Sequence, residues 1–270
     1  MKKQFLFIII LFSLLLQPFS VKASFLHKYG VFLSIDSNDM YKLDDYEIVV
    51  IDAEYFTKSN ISKLKSSGHT VYSYINIGSI ENFRDYYNDF VDISLGEYEN
   101  WNEERWINVS NKAWQNFIVN TVAKNYIDKN IDGFWVDNCD VYYNFKKPEI
   151  YNALADILKA LMSYNVDVIV NGGDIFIREY KASNKTLKDI ITGINQETVF
   201  SSIDFESEKF SRSSKDDKSY FLTYLEEIKN DELKVFILEY TKDRKLAKEI
   251  VDFCNEHDYI YYISDSIELD

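Results

Sequence analysis

The residues of this chain that could do chemistry are carboxylates, and they share an address. In the stretch Gly133 to Tyr142, GFWVDNCDVY, the apolar residues Phe134, Trp135 and Val136 run straight into Asp137, Asn138 and Asp140. Asp52 closes EIVVID, Glu197 follows ITGINQ, and Glu239 closes KVFILE; Asp36 and Asp265 end two further apolar runs. Any one such residue is more often a helix cap or a salt-bridge partner than a catalyst. Five of them, Asp52, Asp137, Asp140, Glu197 and Glu239, at the ends of successive runs are harder to dismiss. Two carboxylates on different strand ends are the layout of glycoside hydrolysis, in which one group protonates the leaving oxygen and the other attacks the sugar or activates water.

The elements that must position them repeat along the chain. Apolar runs bounded by turns predict eight strands buried on both faces, each closing on polar residues. They are Tyr29 to Ile35, Glu47 to Ile51, Thr70 to Ile75, Gly133 to Val136, Val166 to Val170, Ile190 to Ile194, Lys234 to Leu238 and Tyr259 to Ile263. Between them lie helical patterns. Thr57 to Ser67 has a Thr cap and a Gly68 stop, Lys112 to Lys129 has apolar residues at helical spacing, Pro148 opens another helix, and Phe221 to Ile228 and Asp243 to Asn255 follow. Alternation of this kind predicts a parallel (β/α)8 TIM barrel. An open doubly wound sheet is the runner-up, but no Gly-rich nucleotide turn follows the first strand.

Length fits one such barrel. Lys2 and Lys3, the apolar run Phe5 to Leu16, Pro18 and the small-residue pattern Val21-Lys22-Ala23 predict a secretory signal peptide over 1–23. The run is too short for the roughly 20 residues of a membrane span. The remaining 24–270 is close to the roughly 250 residues of a single barrel, with no linker or low-complexity run to divide it. Without Lys2, Lys3 and Lys22 the chain carries 27 Lys+Arg against 44 Asp+Glu, a formal charge of −17. That balance excludes nucleic acid and anionic membranes as partners and leaves a cationic substrate welcome, although an acidic exterior also serves solubility. Cys139 follows a strand while Cys254 lies late in a helix leading to the opposite end of the barrel, so no disulfide is expected. A monomer without cofactor or metal is expected.

In a barrel the C-terminal strand ends form the active face. His27, His69 and His257 all precede strands and belong at the other end, so neither a His-metal site nor a Ser-His or Cys-His nucleophile is available above. Acid–base work falls to the carboxylates. Tyr74, Asn76 and Arg84 after the third strand, Asn138, Tyr142 and Tyr143 after the fourth, and Asn171, Gly172 and Asp174 after the fifth supply the aromatic and planar hydrogen-bonding groups that bind sugars. Asp52, Asp140 and Glu239 are the further carboxylates expected to contact substrate. All four tryptophans fall within Trp101 to Trp135, so the long insertion after the third strand is expected to build one wall, with Trp114 and Trp135 themselves read as core.

On these residues the chain resembles glycoside hydrolase family 114, the endo-α-1,4-polygalactosaminidase-like group, across most of its length after residue 23. The segments that carry the resemblance are EIVVID (Glu47 to Asp52), LKSSGHTVYSYINIGSIENFR (Leu64 to Arg84), WNEERWINV (Trp101 to Val109) and DGFWVDNCDVY (Asp132 to Tyr142). The resemblance implies hydrolysis of an α-1,4-linked galactosamine-containing polymer by a pair of carboxylates. It places the Asp of the D-N-x-D element at Asp137, with Asp140 as second claimant, and the Glu at Glu197. That segment reads INQETVF where an N-E-Q-like order is expected, which keeps Glu239 as the substitute. Asp137 is assigned as nucleophile or base and Glu197 as general acid, an assignment the residues alone leave open to exchange. Two other classes remain: a catalytically silent glycan-binding surface protein, and an oxygen-ligand divalent-metal enzyme built on Asp52, Asp137, Glu197 and Glu239.

Overall fold

Seven of the eight expected apolar runs become parallel strands, and the eighth strand starts near the end of its run. The computed structural model describes residues 24–270; the expected signal peptide lies outside the described residues. The barrel strands are β1 (His27–Phe32), β2 (Tyr46–Ile51), β3 (Thr70–Asn76), β4 (Gly133–Asp137), β5 (Asp167–Asn171), β6 (Gly193–Glu197), β7 (Lys234–Tyr240) and β8 (Ile260–Ser264). They form one sheet in sequence order, every neighbouring pair parallel. The seam between β1 and β8 is crossed by the C-terminal segment, whose Leu269 carbonyl accepts from the Leu33 N–H at 2.8 Å.

The two-residue period of a strand sorts the side chains. Tyr29, Val31, Ile48, Val50, Tyr72, Tyr74, Trp135, Ile169, Phe236, Leu238 and Tyr240 pack together inside the barrel. Their strand neighbours, among them Val49, Ile51, Val71, Phe134, Val136, Val170, Ile194 and Ile237, face the helices. Hydrogen bonds run across the interior: Trp135 Nε1 donates to Tyr29 Oη at 3.0 Å, and Tyr29 Oη donates to Asn195 Oδ1 at 3.2 Å. Strands β4, β1 and β6 are thereby tied together through the core.

The helices cover the outer face. They are α1 (Lys58–Ser66), α2 (residues 112–128), α3 (Pro148–Met162), α4 (Asp174–Asn184), α5 (Lys215–Ile228) and α6 (Arg244–His257). Thr57 and Asn60 form a capping box at α1, Asn111 caps α2, and Pro148 occupies the first turn of α3. Helix α2 passes through a π segment, Ile118–Ala123. Helix α5 starts six residues before the expected Phe221, because Ser214 accepts the Asp217 N–H and caps it.

One strand is displaced from its expected position. The apolar run Ile190 to Ile194 predicts a strand there, but β6 begins at Gly193. Ile190 and Ile191 pack into the helix-side core instead, and the strand continues through Asn195 and Glu197, polar because they face the polar top of the barrel. Glu197 is thus the last strand residue.

Two additions rise above the C-terminal strand ends. Between β3 and α2, the short strands Ser79–Glu81, Ser94–Glu97 and Glu104–Ile107 make an antiparallel sheet with the last in the middle. Between β6 and α5, Ser201–Asp204 and Lys209–Arg212 form a hairpin. Cys139 and Cys254 are both free and buried, and among the described residues no helix is long and apolar enough to cross a membrane.

Candidate active site

Counting by twos along the strands carries the inward face from the apolar interior to the polar top. It reaches Asp52 just past β2, Asp137 on β4, Asn171 on β5, Glu197 on β6 and Tyr240 on β7. Asn171 joins the two expected catalytic groups: its Nδ2 donates to Asp137 Oδ1 at 3.0 Å and to Glu197 Oε1 at 2.7 Å. Arms of 3.0 and 2.7 Å from one nitrogen hold those two oxygens within 5.7 Å of each other. Asn171 is itself fixed, since its Oδ1 accepts from Asn195 Nδ2 at 2.7 Å. Tyr240 Oη donates to Glu197 Oε2 at 2.9 Å, so both Glu197 oxygens are held.

The environment separates the two carboxyls. Burial pushes Asp137 up to about 6, opposed by the Asn171 amide and the Asn138 N–H. Burial, reinforced by the nearby Asp137 charge, pushes Glu197 up to about 7, with Asn171 and Tyr240 opposing. Two close carboxyls with raised affinity for a proton have the chemistry that acid and base roles require.

Above β2 and β3, Arg84 is spent on structure. Its Nη1 reaches Asp52 at 2.7 Å and Glu54 at 2.5 Å, while Nε and Nη2 take both oxygens of Glu81 at 3.2 and 3.1 Å. Tyr74 Oη donates to the same Glu81 at 3.2 Å. Beside it, Glu104 Oε2 accepts from Ser79 Oγ at 2.5 Å, and from Asn76 and Asn138 Nδ2 at 3.4 Å each. Burial and the charge of Glu81 raise Glu104 to about 8 against the Ser79 bond. Asn138, at φ 66°, sits in the left-handed region that Asn tolerates, and Tyr98 Oη donates to its Oδ1 at 3.0 Å.

Asp140 turns toward the next strand. It accepts the Gly173 N–H at 3.0 Å, and burial raises it to about 7 despite that bond. Gly172, at φ 61°, leaves it room: a Cβ there would lie 2.8 Å from Asp140 Oδ2. Asp174 starts α4 and accepts from Tyr220 Oη.

These groups line a cleft of about 1150 Å³. Asp52, Tyr74, Arg84, Asp137, Asn138, Asp140, Asn171, Asp174 and Glu197 all contribute to it. Among the described lining residues there are eleven carboxylates and one cation, Arg84, whose charge is already taken by Asp52, Glu54 and Glu81.

Four expected contacts lie elsewhere, and one of them, Tyr143, is exposed on the surface outside the cleft lining. Glu239 has the opposite strand parity to Tyr240, so it points toward the helices; it is fully buried and accepts the Phe200 and Ser201 N–H groups at 2.9 and 2.8 Å and the Ser201 hydroxyl at 2.5 Å. It braces the loop after β6. Tyr142 packs against Tyr151 and Phe176 and donates to Glu179 at 2.7 Å, because the one-turn helix Val141–Asn144 turns it into the helix layer. Asn76 lies below the cleft surface, closing the turn to Ser79 with bonds of 2.7 and 2.9 Å. Glu239 facing outward and Asp52 paired to Arg84 also take apart the four-carboxylate set of the metal alternative. Among the described residues no group of three or more His, Cys, Asp and Glu is arranged to hold a metal ion.

Sequence reasoning missed Glu81, Glu104, Tyr98 and Tyr240. For Tyr240 the signal was available, as the next inward position after Phe236 and Leu238. The others reach the site through the inserted sheet, which has no fixed register with the barrel.

The family model of glycoside-hydrolase family GH114 matches residues 20–268. No curated protein matches the chain. Among solved structures, the chain is similar to the glycoside hydrolase domain of PelA from Pseudomonas aeruginosa, at 15% identity and TM-score 0.76, with 90% of this chain and 96% of that one covered. It is also similar to Aspergillus fumigatus Ega3 in complex with galactosamine, at 21% identity and TM-score 0.68, with 92% and 94% covered. The α-galactosidase TtGalA from Thermus thermophilus matches at 10% identity and TM-score 0.57, with 91% of this chain and 59% of that one covered. At these identities the shared property is the barrel fold.

Proposed function

The chain belongs to glycoside-hydrolase family GH114, and from that membership we propose that it cleaves an α-1,4-linked, galactosamine-containing polysaccharide outside the cytoplasm, after loss of residues 1–23, using Asp137 and Glu197. The observation that carries the reading is the Asn171 amide donating to both carboxyls. The galactosamine in the complex with Ega3 supports the sugar class, and the acidic cleft supports a polymer with free amines, whose ammonium groups it would attract.

In this mechanism Glu197, the carboxyl raised further, gives its proton to the glycosidic oxygen as the bond to the anomeric carbon breaks. Asp137, ionised at lower pH, attacks that carbon and forms a covalent glycosyl ester. Glu197, now a carboxylate, takes a proton from water, and the water oxygen displaces Asp137. Two inversions give net retention. A shared donor that keeps their nearest oxygens no more than 5.7 Å apart supports the close carboxyl pair of retaining enzymes over the wider pair that leaves room for an inverting water. Tyr240 keeps Glu197 oriented through both halves.

The test is reducing-end release from partially deacetylated α-1,4-galactosamine polymer, with NMR of the first-formed anomer. The parent chain should release α-anomers, and Asp137→Asn and Glu197→Gln should each lose about 10²–10⁴ in rate. A β-anomer product would sink the double displacement. A parent that releases no reducing ends would sink the substrate assignment.

A further inference from the structure

We propose that Trp101 and Phe205 form an aromatic sugar-binding subsite at the mouth of the cleft, gripping a pyranose ring of the polymer away from the bond being cut. The inference rests on the polysaccharide reading above and adds a place where the chain is held.

Trp101 is 40% exposed. A large exposed aromatic in a cleft wall is informative, because leaving that surface in water forgoes the stabilisation of burying it. Both rings line the cleft, and they meet edge to face, with centroids 5.7 Å apart and planes at 71°. They come from the insertion after β3 and the hairpin after β6, so the contact reaches across the mouth with the ends of β4 and β5, which carry Asp137 and Asn171, between its anchors. In that contact Trp101 keeps 40% of its surface exposed.

Both sides are prepared for a ring. Asn100 and Asn102 flank Trp101 and line the same cleft, setting planar hydrogen-bonding groups beside an apolar platform. On the other side, Asp204 holds the hairpin tip: Oδ1 accepts the N–H groups of Glu206 and Ser207 at 3.1 and 3.2 Å, and Oδ2 accepts from the Ser207 hydroxyl at 2.7 Å. The turn that presents Phe205 is therefore fixed before ligand arrives. Phe210 on the same hairpin packs on Tyr240 at 5.8 Å, and Tyr240 holds Glu197.

The ligand chemistry follows. A pyranose ring has an apolar face of C–H groups that stacks on an aromatic ring while its hydroxyl and amino groups stay solvated or bonded at the edge. Every residue of a polymer repeats that face, so the subsite would favour long chains over short ones.

The test measures binding apart from catalysis. Affinity for the galactosamine polymer is read in the Glu197→Gln chain, alone and combined with Trp101→Ala, Phe205→Ala or Trp101→Phe. Loss of the stacking ring should weaken Kd about three- to tenfold, with Trp101→Phe restoring most of it and thermal stability unchanged. In otherwise wild-type chains the preference for polymer over trisaccharide, as a ratio of kcat/KM, should fall by a similar factor. Unchanged Kd in both alanine variants would overturn the subsite. Equal losses on polymer and trisaccharide would also overturn it, leaving the pair as a tether that positions Glu197 through Tyr240. Binding that depends on Trp101 in a parent that cuts nothing would uphold the subsite and reject the hydrolytic reading.

Discussion

Asp137 and Glu197 differ by one methylene and share one amide donor, and the pH profile of the reaction follows from how their surroundings divide them. Catalysis as proposed needs Asp137 ionised and Glu197 protonated. With Asp137 raised to about 6 and Glu197 to about 7, kcat/KM should rise as pH passes through about 6 and fall through about 7, a narrow bell in the free chain. Because the groups interact, the two limbs belong to the pair. Tyr240→Phe removes a hydrogen bond that favours ionised Glu197, so the falling limb should move to higher pH while the rising limb stays within experimental scatter. Initial rates from pH 4.5 to 9 check this; a falling limb that moves to lower pH in Tyr240→Phe would reject Glu197 as the acid.

At the scale of elements, the strand ends hold the site only because β3 and β4 approach closely just past their last residues. A Cβ on Gly78 would come within 1.8 Å of the Asn138 carbonyl oxygen, and the obstacle is backbone, which cannot rotate aside. Gly78→Ala should therefore destabilise the barrel by about 1–3 kcal/mol. It should also lower kcat/KM by about 100-fold, since the displaced β4 end carries Asp137; chemical denaturation beside initial rates checks both, and a fully active, fully stable variant would refute the packing argument. The Gly is readable in Y-I-N-I-G-S, but its reason is a long-range contact that no local pattern contains. The eight runs were legible because each strand is apolar on both faces. Which of Glu197 and Glu239 faces the cleft was legible through parity: Glu197 follows Asn195 on the inward face, whereas Glu239 falls between the inward Leu238 and Tyr240. Tyr142 was misplaced because a one-turn helix after a strand end rotates side chains away from the strand's alternation. Glu81 and Glu104 stayed hidden because antiparallel pairing in an insertion decides which of its carboxylates reach the barrel.

For the whole molecule, burial that raises the proton affinity of several carboxyls has a consequence for stability. Asp137, Asp140, Glu197, Glu239 and Glu104 have folded values of about 6, 7, 7, 7 and 8, against roughly 4 in an unfolded chain. Between those limits the folded state binds more protons than the unfolded one, so stability falls as pH rises. The penalty is absent below about pH 4 and complete above about pH 8. The carboxylates shifted the other way, Asp167, Glu179, Asp204, Glu232 and Glu249, lose their stabilising contribution only in acid, and so set the lower edge of the stable range. Net charge acts in the same direction as the buried groups: the formal −14 counts every Asp and Glu as ionised, and each buried carboxyl that ionises brings the chain closer to that value and adds self-repulsion. Calorimetry should therefore find Tm lower at pH 8 than at pH 5. Asp140→Asn and Glu104→Gln, which cannot ionise, should flatten that slope and melt above the parent at pH 8, even where they impair turnover. A Tm that fails to fall from pH 5 to pH 8 would mean that these carboxyls ionise at least as freely folded as unfolded, and the raised proton affinity that the mechanism needs would have no physical source.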